Sequence, residues 1–370
     1  MHINLFLIPF VILLGLFLGQ DDTATRRKWY IILCSAVLVF VAAMRHPDYM
    51  TEMNAIDTAV YKYNFERIVD MGWSEIWENF IGRYENMDTD RGDVGLKIFS
   101  KLISLLTQDF YIYSLIADLI FFVPFGIILY RFSTSMKQII FAFVFYIALI
   151  QVFLLSGARQ IIAIGFDLMA LLSVINRKDL LSVIFFFMGV TLHFSSFLFA
   201  GPLLMIWYGT PPKVLKLSHI LCFATFPVIL LMPNEIIVFM GNLMRVERYA
   251  EYGKNPVTGG ASVFILLIEM LSLFILLAVK ERDIVKSRTL QIFYVMAPLF
   301  TIFAPLTRSD GAMIRVSLYY HLFLVVLFPL ALDCMFVRQG RNLAYVITIG
   351  LLSILTLKDG GTIYYFYWQL

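Results

Sequence analysis

Charge is scarce in this chain. Of its 370 residues only 15% are Asp, Glu, Lys or Arg, while 60% are hydrophobic. A soluble domain of that balance would present a largely apolar surface to water, which excludes that class. Cysteine is nearly absent. Cys34, Cys222 and Cys334 are widely spaced, and each lies in or at the end of an apolar run, which excludes a disulfide framework and zinc-binding spacing. The chain has no Walker-type loop, no GxSxG elbow and no Rossmann fingerprint. Direct use of a cytoplasmic nucleotide is therefore not expected, nor is a metal, a cofactor or nucleic acid as a partner. No linker, repeat or low-complexity tract divides the chain, so residues 1–370 read as one transmembrane domain.

What is abundant is long apolar sequence. The runs are continuous rather than alternating, so they predict helices and not a barrel. Crossing a hydrocarbon core takes about 20 helical residues. Spans are expected near 3–20, 29–44, 109–130, 139–156, 158–176, 213–232, 262–279, 289–305, 314–333 and 341–357. Segment 180–208 is apolar but interrupted near Thr191–Ser196. It reads as a broken or re-entrant pair, giving an all-α polytopic protein of about 11–12 transmembrane helices. The start, MHINLFLIPFVILLGLFLGQDD, has no basic n-region and no small-x-small site, so it is expected to stay as the first span.

Basic residues orient the spans. Arg26–Lys28, Arg131 and Lys137, Arg177 and Lys178, Lys213 and Lys216, Lys280–Arg288, and Arg338 and Arg341 fall in loops of one parity, expected inside. The N-terminus is then extracytoplasmic, and two long loops, 45–94 and 233–261, face outward. For the loops before and after 180–208 both to lie inside, that segment must go across and return, with His193 near its turn. In the first outer loop Trp73, Ile76, Trp77 and Phe80 form a helical stripe. The stripe suits a helix lying in the interface or one packed on the spans.

This orientation gathers cations on the outer level: Arg45 ends a span, Arg159 begins one, and Arg308 and Arg315 flank another. Guanidinium groups bind phosphate oxygens in bidentate fashion, which fits a pyrophosphate held at the membrane surface. Each also has a plainer role as a flanking or solvated charge. Gln160 neighbours Arg159. Asp57 and Tyr61 share a helical face, and a carboxylate there is placed to take a proton from an acceptor hydroxyl. His193 sits at the break of a span, where a buried hydrogen-bonded histidine is the ordinary alternative. Arg245, Arg248 and Tyr249 follow an apolar stripe in the second outer loop.

Four spaced pieces, in order, resemble the EpsG family, which is related to the Wzy-type polymerases of O-antigen and exopolysaccharide synthesis. They are Arg45 with Asp57-x-x-x-Tyr61; the acid-x-Gly step Asp93-Val94-Gly95; RQIIAIGF (159–166) followed by TLHFSSFLF (191–199); and IRVSLYYHLFLVVLFPL (314–330). The gap between Arg45 and Asp57 is longer than the family's usual Gly-rich version, and the family more often has Glu where Asp93 stands.

The resemblance implies a membrane glycosyltransferase (GT-C-like) fold in the bacterial inner membrane. It implies a polymerase that moves a growing glycan from undecaprenyl pyrophosphate to a sugar hydroxyl of a new lipid-linked unit at the outer face. Its partners would be that lipid-linked oligosaccharide, membrane lipids and a chain-length regulator protein. Arg159, Arg315, Arg45 and Arg308 would hold pyrophosphate, and His193 and Asp57 are the candidate catalytic groups. Gln160, Tyr61, Arg245, Arg248 and Tyr249 would contact substrate. The alternatives are a lipid-linked glycan transporter, a single-transfer ligase and a membrane O-acyltransferase.

Overall fold

The stretch FYIYSLIADLIFFVPFGIILYRF has only Pro124 and Gly126 against helix, and Asp109 caps its start by accepting from Tyr111 N at 2.7 Å and Ile112 N at 3.2 Å. It forms a 23-residue helix. At about 1.5 Å per residue that is long enough to cross a bilayer core. The computed structural model describes residues 2–47, 57–86, 94–155, 157–208, 212–244, 261–279, 287–309, 313–358 and 363–369. Described residues outside the helices form only two isolated β-bridges.

The chain divides into two compact units, Met1–Ala200 with Tyr345–Leu370, and Gly201–Ala344. The first unit holds α1 (Asn4–Leu18), α2 (Ala24–Ala43), α3 (Thr58–Asp70), α4 (Trp73–Asn86), α5 (Val94–Ser104), α6 (Phe110–Phe132), α7 (Met136–Leu149), α8 (Gln151–Leu155), α9 (Ala158–Ile175) and α10 (Asp179–Leu192). α7 is buried nearly all round, as a helix apolar on every face should be. Tyr146 on α7 packs against Phe121, Phe122 and Phe125 of α6, with ring centroids 5.4–6.0 Å apart.

In the first unit α2 and α6 lie antiparallel, as do α9 and α10, so these helices share two ends. At one end Arg27 Nη1 donates to Ser133 O (3.2 Å), Met136 N to Asp22 (3.0 Å) and Arg131 Nη1 to Asn176 Oδ1 (2.8 Å). The basic residues expected inside from this part of the chain gather there. The other end holds the last turn of α2, the first turn of α6 and the start of α9.

The second unit contains α11 (Ala200–Tyr208, from Gly201 on), α12 (Pro212–Leu231), α13 (Pro233–Met244), α14 (Ala261–Ala278), α15 (Arg288–Met296), α16 (Phe300–Phe303) and α17 (Ile314–Met335), with 3-10 turns at Ala297–Leu299 and Ala304–Arg308. α17 is its buried centre. α18 (Arg338–Lys358) ends the helical part of the chain.

Helix occupies every expected span. By length and apolarity alone, four described helical stretches qualify as membrane crossings: Phe110–Phe132, Ala158–Ile175, Thr289–Arg308 and Ile314–Met335. A fifth is added if Ile220–Leu231 and Pro233–Asn242, bent by 100°, count as one span. The protein is a nearly all-helical, multi-pass membrane protein. α4 buries Ile76 but leaves Trp73 and Trp77 exposed, whereas α13 turns Ile236, Ile237 and Met240 inward and Phe239 outward.

Candidate functional site at one end of the first unit

The segment after α9 turns sharply at Asn176–Lys178, where Arg177 takes φ 60°, and α10 returns alongside α9. The two helices touch closely because residue 189 is glycine. A Cβ there would lie 3.2 Å from Ala163 O and 2.8 Å from both Asp167 Oδ1 and Ser196 Oγ. Arg159 is one helical turn before Ala163, and His193 is one turn after Gly189. In an antiparallel pair both therefore fall at the same end of the hairpin.

α10 stops at Leu192, His193 is extended (φ −153°, ψ 113°), and a 3-10 turn runs over Phe194–Phe199. His193 is thus at the break where the sequence puts it. Its Nδ1 is 2.7 Å from Ser195 Oγ, and its ring is half-buried. Ser196 Oγ donates to the carboxylate of Asp167, which is wholly buried on α9. That bond ties the turn carrying His193 to the helix carrying Arg159. α5 closes the same corner, because Gly95 sits directly against the Thr191 carbonyl. This contact gives Gly95 of the acid-x-Gly step a physical reason; Asp93 lies outside the described residues.

Arg45 reaches the same region from α2. It is buried, and its Nε donates to Ala42 O at 2.6 Å while Nη1 donates to Leu155 O. Leu155 ends α8, two residues before the Gly157 that starts α9. Arg45 therefore fastens the end of α2 to the turn that launches Arg159, which is half-buried. Gln160, beside it, is buried. Asp118 is buried on α6.

Asp57 stands at the N-cap of α3, but its carboxylate does not cap the helix. Tyr61, one turn on, packs with the aromatic group of Phe65, Phe110 and Tyr113, in which Phe65 and Tyr113 stack at 4.3 Å. The base of α3 is anchored from α5 by Lys101 Nζ donating to Val69 O at 2.8 Å. Tyr61 is thereby joined to the first turn of α6.

In the second unit, Arg308 is exposed and its Nη1 donates to Leu230 O at the C-terminus of α12, 3.0 Å away, where a cation offsets the helix dipole. Ser309 Oγ donates to Asn234 Oδ1 at 2.5 Å. Arg315 is half-buried in the first turn of α17. Arg245, Arg248 and Tyr249 lie outside the described residues. Among the described residues no group of His, Cys, Asp and Glu is arranged to hold a metal ion.

Two elements escaped the sequence reading. One is the Asp167–Ser196 bond, whose signal was an acid inside an apolar span opposite a Ser-Ser break. The other is the C-terminal segment Ile363–Gln369, which returns to the Arg45 end. Its signal was aromatic density, TIYYFYWQL. Tyr364 is fully buried there; burial pushes its phenol above the ordinary value, and it donates as a neutral hydroxyl to Val41 O at 2.6 Å.

No curated protein and no solved structure matches this chain. The EpsG family model matches residues 28–359. That stretch takes in all four spaced pieces and the elements that bring Arg45, Arg159 and His193 to one end, so the chain belongs to the EpsG family.

Proposed function

We propose that the protein is a polysaccharide polymerase of the bacterial inner membrane. It transfers a growing glycan from undecaprenyl pyrophosphate to a sugar hydroxyl of a new lipid-linked repeat unit at the outer face. The observation that carries this reading is that Arg159 and His193 share one end of the α9–α10 hairpin. The other end of the first unit collects Arg27, Arg131 and Asn176. By the positive-inside rule the basic end is cytoplasmic, so the Arg159 end and the N-terminus are outside. The orientation goes with about 11–12 crossings, the shorter apolar helices included, and with a GT-C-like arrangement.

The chemistry follows from charge. The acceptor hydroxyl attacks the anomeric carbon, the bond from that carbon to the pyrophosphate oxygen breaks, and negative charge grows on the leaving pyrophosphate. Fixed cations at that place stabilise the transition state more than the ground state. Arg159 is the first cation proposed for that role. Arg45 already spends two donors on backbone carbonyls, which leaves its remaining N–H groups for the same anion. Arg315 and Arg308 are the other cations proposed for the pyrophosphate. The proton leaves the acceptor hydroxyl to His193 or Asp57, and Gln160 and Tyr61 contact substrate. A chain-length regulator is the protein partner proposed.

The test is the surface-glycan length ladder in the native host for wild type, a deletion and Arg159→Ala at matched protein level, with lipid-linked units assayed on each face. Collapse to single units that still accumulate outside supports the polymerase. A full ladder in Arg159→Ala removes Arg159 from the site. Units trapped inside in the deletion would favour a transporter. His193→Gln and Asp57→Asn, run in parallel, separate the two candidate bases.

A further inference from the structure

The C-terminal segment lies beyond residue 359, where the family match ends. Its backbone pairs with the residues around Arg45. His46 N donates to Tyr365 O at 2.9 Å, and Tyr367 N donates to Met44 O at 3.1 Å. These two bonds flank Arg45 and Phe366, which face each other as an antiparallel bridge. A pair flanked in this way is the kind in which opposite side chains approach most closely. A second bridge joins His2 to Ile363.

The pairing completes the end of α2. The last carbonyls of a helix have no partner within it and need one from elsewhere. Phe40 O accepts from Met44 N at 3.0 Å, and Ala42 O accepts from Arg45 Nε at 2.6 Å. Val41 O takes the Tyr364 hydroxyl at 2.6 Å, and the carbonyl just past the helix, Met44 O, takes Tyr367 N. Aromatic contacts hold the segment down. Phe366 and Trp368 stack at 4.4 Å and both meet Phe40, while Tyr367 lies 4.2 Å from Tyr111 on the first turn of α6.

We propose that Ile363–Gln369 is a strap that positions Arg45, and through Arg45 the turn that launches Arg159, with Tyr364 and Phe366 as its positioning residues. The proposal rests on the polymerase reading above, in which that turn presents Arg159 to the leaving pyrophosphate. Arg45 reaches Leu155 O only while its own backbone is held, and the strap supplies the strand that holds it. Removing the Tyr364 anchor frees the strap, lets Arg45 leave the Leu155 carbonyl and misplaces Arg159 in the transition state.

Tyr364→Ala and Tyr364→Phe are assayed in native-host membrane vesicles, with the host's lipid-linked repeat units as the varied substrate. Tyr364→Ala is also combined with His2→Cys and Ile363→Cys in a chain whose Cys34, Cys222 and Cys334 are replaced by Ala. Cα atoms of a bridged pair, about 4.5–5.5 Å apart, suit a disulfide. Tyr364→Ala is expected to lower kcat about tenfold with KM within about twofold, the pattern of a lost transition-state interaction. Oxidation of the paired cysteines should restore most of that kcat, a rescue that a general loss of folded protein would not show. Wild-type kcat in Tyr364→Ala, or in Tyr364→Phe where the alanine variant does not accumulate, overturns the proposal. So does failure of positions 2 and 363 to cross-link. A deletion strain with normal chain length overturns the polymerase reading instead, and cross-linking then still reports whether the strap docks.

Discussion

The Ser196 hydroxyl, on the 3-10 turn after α10, donates to the buried Asp167 carboxylate of α9, and Gly189 sits directly against both side chains. The other oxygen of that carboxylate, Oδ1, accepts no hydrogen bond among the described residues. The pair therefore has little redundancy. Ser196→Ala removes the only donor shown for Asp167, and orphaning a buried acceptor costs about 1–3 kcal/mol. We expect a lower melting midpoint in detergent and a shortened glycan ladder. Asp167→Ala with Ser196→Ala should recover part of the midpoint, because no orphan remains, while the ladder stays short. Additive losses in the midpoint would mean that the two side chains do not interact.

Gly95 makes a sharper case about backbone. A Cβ at this position would overlap the Thr191 carbonyl, with the carbonyl carbon at 2.5 Å and Leu192 N at 2.9 Å. Backbone cannot swing aside as a long side chain can, so Gly95→Ala must move α5 off the His193 corner, at about 1–3 kcal/mol. Gly72→Ala is the control, since a Cβ there would meet Ser74 Oγ at 3.6 Å, ordinary contact. The first variant should lose thermal stability and chain extension, and the second should keep both.

Arg45 and Arg159 are expected to fail differently. Arg45 is buried with two carbonyls on its guanidinium, so Arg45→Ala strands both and lowers the melting midpoint along with activity. Arg45→Lys does little better, since one ammonium cannot reproduce the fork geometry. Arg159→Ala, on a half-buried side chain in the first turn of α9, should lower the midpoint less than Arg45→Ala does and still collapse the ladder. Equal loss of stability in both variants would remove the distinction.

Much of this was legible in the sequence. The apolar runs marked the long apolar helices to within about five residues because a continuous run of that length has few other structures available in lipid. They did not mark α3, α4, α5 or α13, nor the division of 139–156 into α7 and α8. The break at His193 was legible from Thr191 and the paired serines. So was the sorting of Arg27, Arg131 and Arg177 away from Arg45 and Arg159, since alternate spans reverse direction. What could not be read was pairing across long separations. Tyr364 and Val41 are 323 residues apart, and no local pattern says which helix end an aromatic segment will cap. The partner of Arg45, a backbone carbonyl at Leu155, has no side-chain signature at all. The apolar stripe expected in the second outer loop falls on α13, where Ile236, Ile237 and Met240 turn inward and Phe239 turns outward.

The sidedness of the first unit gives the last prediction. Arg177 is exposed at the turn between α9 and α10, and Trp368 is 52% exposed on the strap at the opposite end. In a chain whose native cysteines are replaced by Ala, Arg177→Cys and Trp368→Cys place one thiol at each end. A membrane-impermeant maleimide added to spheroplasts should label the Trp368→Cys protein directly and the Arg177→Cys protein only after permeabilisation. The charge argument is strong here because Arg26, Arg27, Lys28, Arg131, Lys137, Arg177 and Lys178 all belong to loops of one end. The opposite labelling pattern would put Arg159 and His193 on the cytoplasmic side, where a glycan growing outside the cell could not reach them, and the polymerase site would have to be sought elsewhere in the chain.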